Sequence, residues 1–158
     1  MTGESPGRAG SLRALLRGDH QRLEELFVEL LEAFHESDWD ELREMWSRFD
    51  AGLSAHLAAE ERQLLPLFER VEPGEAAALL ADHARFRRTL DDLGVGVDLH
   101  LVKLDAAQGF VEALRAHADR EDQLLYRWAD RALPESGQEA VARELDRGTP
   151  AEQGEVQR

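Results

Sequence analysis

The chain has 158 residues, 42% hydrophobic and 33% charged, enough to bury one core but not two. Its net charge of -14, with Lys103 the single lysine, repels phosphate backbones and anionic lipid and leaves no basic patch for nucleic acid or a membrane surface. Cysteine is absent, which excludes disulfides, thiolate zinc sites, Cys-ligated iron–sulfur clusters and a cysteine nucleophile, so metal chemistry must rest on His and carboxylate.

Residues 1–10 are polar, contain Gly and Pro and hold no apolar run of signal-peptide length; they read as a flexible N-terminus on a cytoplasmic protein. From Ser11, the stripe Leu12, Leu16, Leu23, Phe27, Leu30, Phe34 predicts a first amphipathic helix to about His35. Ser37 and Asp38 are N-cap types, and Leu42, Trp46, Phe49, Leu53, Leu57, Leu64 and Phe68 carry a second helix to the Pro73-Gly74 stop, with Pro66 expected to kink or weaken its last turns. Glu75 to Leu93 predicts a third helix ended by Gly94 and Gly96, and Asp98 is expected to cap a fourth reaching about Leu133, before Pro134. A short extra helix is expected over Glu139 to Leu145, with a polar, mobile tail from Asp146. No window alternates as a strand would. The predicted fold is all-α: an up-down-up-down four-helix bundle over residues 11–133, followed by a short helix and tail over 134–158.

The sequence also repeats internally. "DHQRLEELF" at Asp19 to Phe27 resembles "DHARFRRTL" at Asp82 to Leu90, offset by 63 residues, and "HLAAEERQLL" at His56 to Leu65 resembles "HADREDQLLY" at His117 to Tyr126, offset by 61. Each hairpin thus supplies one His from its first helix and a His-x-x-x-Glu from its second. Positions four apart lie about 40° apart on one helical face, so His56 with Glu60, and His117 with Glu121, each present an imidazole beside a carboxylate, facing the core with the neighbouring leucines. His20 and His56 lie at similar depth about the first turn, and His83 and His117 about the turn near Asp98. The match between His56 and His83 about Gly74 is poorer. His35 lies about 22 Å along its helix from His20, and His100 about 25 Å from His117, so both are expected on the surface at the far end.

Six ionisable side chains facing a helical core at one level need a compensating charge, which a metal centre supplies. Four imidazoles and two carboxylates suit iron, with zinc or manganese as alternatives. If both carboxylates bridge, each of two ions receives two His nitrogens and two Glu oxygens, leaving positions for a small exogenous molecule.

His20, His56-x-x-x-Glu60, His83 and His117-x-x-x-Glu121, with the "EExxLLP" run at Glu60 to Pro66, resemble the hemerythrin-like (HHE cation-binding) family from about Ser11 to Leu133. The resemblance implies a non-haem di-iron centre in a four-helix bundle, with His20, His56, His83 and His117 as terminal ligands and Glu60 and Glu121 as bridges. It further implies binding of, or reaction with, dioxygen, peroxide or nitric oxide, including peroxide decomposition or nitric oxide reduction, or else iron or redox sensing. The oxygen carriers of that family have a fifth histidine where this chain has Arg87, which disfavours reversible oxygen storage. They also place an aspartate five residues after the last histidine, a spacing Asp122 fits, so Asp122 is an alternative to Glu121, as is Glu61 to Glu60. The relatives that repair iron centres carry a cysteine-bearing N-terminal domain absent here.

Glu24 and Arg87 each follow a helix histidine by one turn. They are expected to pair across the core beside the metals, or Glu24 to add a ligand. Glu32-x-x-His35 matches half of the ferritin-like pattern, which needs two such motifs. Trp39, Trp46 and Trp128 read as packing residues. Tyr126, nine residues past His117 and about opposite it on a regular helix, reads as no ligand. The rival to metal chemistry is a helical interaction module whose His and Glu residues form a polar core network. The redox partner is not written in these residues.

Overall fold

The computed structural model describes residues 11–36 and 38–149. The expected flexible segment 1–10, Ser37 as a cap, the side chain of His35 and the tail from Pro150 lie outside the described residues. Ser11 caps the first helix, its Oγ accepting from Ala14 N at 3.1 Å, and α1 runs over Leu12–Glu36. Asp38 does the same for α2 (Trp39–Ala59), accepting from Glu41 N at 3.2 Å. The chain continues through a π turn, Glu60–Leu64, into the short α3 (Leu65–Phe68). Its disturbance falls just ahead of Pro66 because a proline lacks the N–H that would close the preceding turn; the Leu65 N–H instead reaches back five residues to the Glu60 carbonyl.

Helix α4 spans Pro73–Asp98, five residues beyond the predicted stop at Leu93. Both glycines lie inside the helix, where each allows a close approach. A Cβ at Gly94 would stand 3.3 Å from the Trp46 indole nitrogen, and one at Gly96 would stand 3.3 Å from the Leu101 carbonyl oxygen. The helix ends instead in a Schellman closure, Leu101 N to Gly96 O at 2.8 Å and His100 N to Val97 O at 3.2 Å. His100 occupies the left-handed position, φ 57°, and its ring stacks on Trp39 at 3.9 Å. Asp98 is therefore the last residue of a helix and not the cap of the next. That helix, α5, spans Leu104–Gln123; a break at Leu124 (φ -126°, ψ -60°) separates it from α6 (Leu125–Ala132).

The extra helix is longer than expected: α7 covers Glu135–Arg147, starting directly after Pro134. Gly137, a helix breaker by propensity, is tolerated where a Cβ would come to 3.0 Å of Leu133. In the segment from Asp146, expected as a mobile tail, the helix continues to Arg147 and Gly148 is buried, so close to α2 that a Cβ there would meet Ala55 at 2.6 Å.

The four rods α1, α2–α3, α4 and α5–α6 pack as a closed square. The first lies on the second and fourth, and the third lies on the same two, so α1 and α4 face each other across a diagonal. Helix α7 adds to α2 and the π turn. No strand occurs among the described residues, and no described helix is long and apolar enough to cross a membrane. The core has two apolar layers. In one, Phe27, Phe49, Phe86 and Phe110, one from each rod, interlock with ring centroids 4.7–6.3 Å apart. In the other, Leu12 and Leu16 meet Leu64, Leu65, Phe68, Leu79, Leu125 and the α7 residues Val141 and Leu145. Trp46 is buried in the first layer, and Trp128 packs on Phe68 in the second. Between the layers lies a polar one.

Candidate metal centre

The histidines and glutamates of the repeat meet in that polar layer. His56, His83, His117, Glu60 and Glu121 are buried, and His20 is 19% exposed. Glu60 Oε1 lies 3.0 Å from His56 Nε2 and 3.8 Å from His83 Nε2, so one carboxylate from the first hairpin touches an imidazole of the second. Glu121 mirrors it, with Oε1 3.0 Å from His117 Nε2 and 3.5 Å from His20 Nε2, and Oε2 3.8 Å from His83 Nε2. The poor depth match of His56 to His83 is resolved here: it is Glu60, one turn on, that is level with His83 about the turn at Val71.

Potential ligand atoms form two groups: His20, His56, Glu60 and Glu121, and His83, His117 and Glu121, with the atoms of each within 4.8 Å of one another. Glu121 belongs to both. Glu60 Oε1, Glu121 Oε2, both ring nitrogens of His83 and Nε2 of His117 are buried without a hydrogen-bond partner. Unpaired buried polar atoms carry a penalty of roughly 1–3 kcal/mol each, and a cation held among the two carboxylate oxygens and the Nε2 atoms of His83 and His117 would satisfy those four together. The residues present fit a metal.

Two aspartates that the sequence reading passed over orient the site. Asp19 Oδ2 lies 2.7 Å from His56 Nδ1, and Asp82 Oδ2 lies 2.9 Å from His117 Nδ1. Each takes the imidazole Nδ1–H, which turns the Nε2 lone pair toward the centre, as outer carboxylates do for metal-bound histidines. Each is held in turn by the arginine three residues on, Arg22 for Asp19 at 2.9 Å, and Arg85 for Asp82. The signal was in plain view: both first helices of the repeat read Asp-His-x-Arg.

Tyr126 corrects the expectation that it faces away. It is fully buried, with its hydroxyl oxygen 3.0 Å from His20 Nε2, 3.3 Å from His56 Nε2, 3.1 Å from Glu60 Oε2 and 3.4 Å from Glu121 Oε1. An unbroken helix would turn 100° per residue and carry Tyr126 away; the break at Leu124 resets the helical phase and swings it into the bundle.

The pairing of Glu24 with Arg87 is not formed, since α1 and α4 are diagonal. Arg87 binds Glu61 through its two terminal guanidinium nitrogens at 2.7 and 2.5 Å, and Glu61 Oε2 stands 3.5 Å behind His83 Nδ1. Glu24 instead pairs with Arg115 on α5 at 2.6 Å. Asp122 faces Arg13, at 2.7 and 2.9 Å, and lies outside the cluster of ligand atoms. His100, exposed and stacked on Trp39, is at the far end, as expected.

The electrostatics express the crowding of two carboxylates. Burial and the nearby Glu60 charge raise Glu121 well above the ordinary carboxylate range. Burial opposes ionisation of Glu60 as well, but His56 and the adjoining Glu121 overcome it and hold Glu60 well below that range. His56 also resists burial, held up at about 9 by Glu60 and Asp19, so that in the protein alone it carries the positive charge the carboxylates demand. Burial, aided by the His56 charge, pushes His20 down to about 3; burial also lowers His83. Both keep their lone pairs free at neutral pH.

Two openings flank this layer. A cavity of about 50 Å³ is lined by His20, Leu23, Phe27, Val111 and Leu114 and by the Glu24–Arg115 pair. A groove of about 690 Å³ between α4 and α5 is lined by Asp82, Phe86, Phe110, His117 and Arg120.

The profile described as the hemerythrin HHE cation binding domain matches residues 11–129. The chain belongs to that family. This hemerythrin-family domain has no match among curated proteins and none among solved structures. The matched span takes in α1 to α5 and most of α6, hence all six histidine and glutamate residues of the layer; α7 lies outside it. Membership in a cation-binding family accords with the two donor groups, which could hold a metal.

Proposed function

We propose that this hemerythrin-family domain holds a non-haem di-iron centre and uses it to bind or react with dioxygen, peroxide or nitric oxide. The observation that carries the reading is the pair of donor groups sharing Glu121, with buried acceptor atoms left over in both carboxylates. In this assignment His20, His56 and Glu60 would hold one ion, His83 and His117 the other, and Glu121 would contribute to both. When bound, such a centre supplies two redox-active ions with coordination positions open to a small molecule. The chain's own residues supply the rest. Asp19 and Asp82 fix the His56 and His117 tautomers. The two apolar layers exclude bulk water above and below. The cavity of about 50 Å³ beside His20 holds only a few water-sized atoms, a water needing about 10–15 Å³ of such space, so on that side there is room for a diatomic molecule or peroxide.

Metal analysis of the purified protein tests the reading. About two irons per chain is expected from the two donor groups. Protein that folds and takes up no iron from an iron-supplemented medium would return the chain to the rival reading, a polar core network in an interaction module. On the iron-loaded protein, sustained consumption of peroxide or nitric oxide marks an enzyme, and a stable coloured adduct without turnover marks a binder or sensor.

A further inference from the structure

The two donor groups are unequal: Glu60 belongs only to the first, and a phenol stands beside that group alone. In the internal repeat Tyr126 stands where the first hairpin has Leu65, a residue buried in the apolar layer. The phenol therefore has no counterpart, and all four of its neighbours belong to one group: His20, His56, Glu60 and Glu121 surround its oxygen at 3.0–3.4 Å. A buried hydroxyl needs a single acceptor to be satisfied. Four ligand-type atoms around one phenolic oxygen are more than its hydrogen bonding asks for. The break at Leu124, which interrupts an otherwise continuous helix, is what puts it there.

We propose that the Tyr126 oxygen is an additional ligand to the ion held by His20 and His56, which makes the two iron positions chemically different. The inference rests on the di-iron reading above. On metal uptake the phenolic proton leaves to solvent, as protons do from any ligand that must be deprotonated to coordinate. The opposite position, served by His83, His117 and Glu121, has no such donor and is the one left more open to an exogenous molecule.

Tyr126 is the only tyrosine of the chain, so the native protein decides the question without a variant. Full-length protein is loaded with iron, brought to the ferric state, assayed for iron content, and examined by visible absorption and resonance Raman spectroscopy. The expected result is a phenolate-to-iron charge-transfer band whose Raman excitation enhances tyrosine ring modes, and those modes shift when the protein is produced with ring-deuterated tyrosine. Tyr126→Phe is expected to lose the band while retaining at least half of the iron. Iron present with no tyrosine modes overturns this inference and leaves the di-iron reading intact; an unchanged band in the Phe variant does the same. Folded protein without iron overturns both.

Discussion

The two hairpins of the bundle carry the same ligand pattern on different surroundings. In the first, His56 is locked by Asp19, the π turn and α7 close over the end of α2, and Tyr126 reaches across from α6. In the second, His117 is locked by Asp82 in the same way, but the face between α4 and α5 is an open groove, and His83 and His117 keep unpartnered ring nitrogens. What the repeat shares, an Asp-His-x-Arg helix and a His-x-x-x-Glu helix, is what ligation needs. What differs, cover and a phenol, is what would set access and reactivity on the proposed reading.

The largest test of the shared part is removal of a shared residue. Glu121→Ala should abolish iron binding at both positions, because Glu121 belongs to both donor groups, whereas His56→Ala should lower iron content toward one ion per chain. Equal iron in His56→Ala and the native protein, measured by metal analysis, would contradict the assignment. Next come the orienting aspartates. Asp19→Ala and Asp82→Ala should each weaken iron affinity by about 10–100-fold, measured by chelator competition, since outer-shell carboxylates are worth that much. If one variant loses affinity and the other does not, the two halves are not equivalent in the way the repeat suggests.

The differing parts are tested by stability. Gly148→Ala should destabilise by about 1–3 kcal/mol in urea unfolding, because the new methyl collides with Ala55 and the Ala51 carbonyl of α2, against which the residue just past α7 packs. A neutral result would mean that the α7 end is not held against the first hairpin. The smallest effect is expected at the rim of the open groove, where Arg120 on α5 binds Glu75 on α4 at 2.6 and 2.7 Å. That hydrogen bond holds the Glu75 carboxyl below its usual range. A carboxylate whose pKa is lower in the folded chain adds stability above its unfolded value and loses it as pH falls through the folded one. Glu75→Gln should therefore cost about 0.2–1 kcal/mol at pH 7, with the difference in Tm from the native protein vanishing in acid.

Much of the site was legible before any coordinates. Histidines and glutamates recurring at fixed offsets on amphipathic helices have few arrangements open to them, and those residues do meet in one layer. The aspartates were legible too, printed in both Asp-His-x-Arg helices, but their role needs a partner on another helix and periodicity says nothing of partners. Tyr126 was misplaced because a helical wheel assumes regularity, and Leu124 breaks it. Gly94 and Gly96 suggest stops because glycine weakens a helix by local propensity, which is outweighed by the Trp46 indole packed on Gly94 and by the turn of Leu101 folded back on Gly96.

By itself the sequence determined the all-α class, the helix-bearing segments and the residue types available to a cation, because apolar spacing and ligand chemistry are local properties of the chain. Only the tertiary structure decided that Arg87 answers Glu61 and not Glu24, that Asp122 turns to Arg13, and that a phenol enters one half of the layer. Those outcomes depend on which rods are neighbours and on a single break in helical phase, and both are settled by packing across the bundle rather than along it.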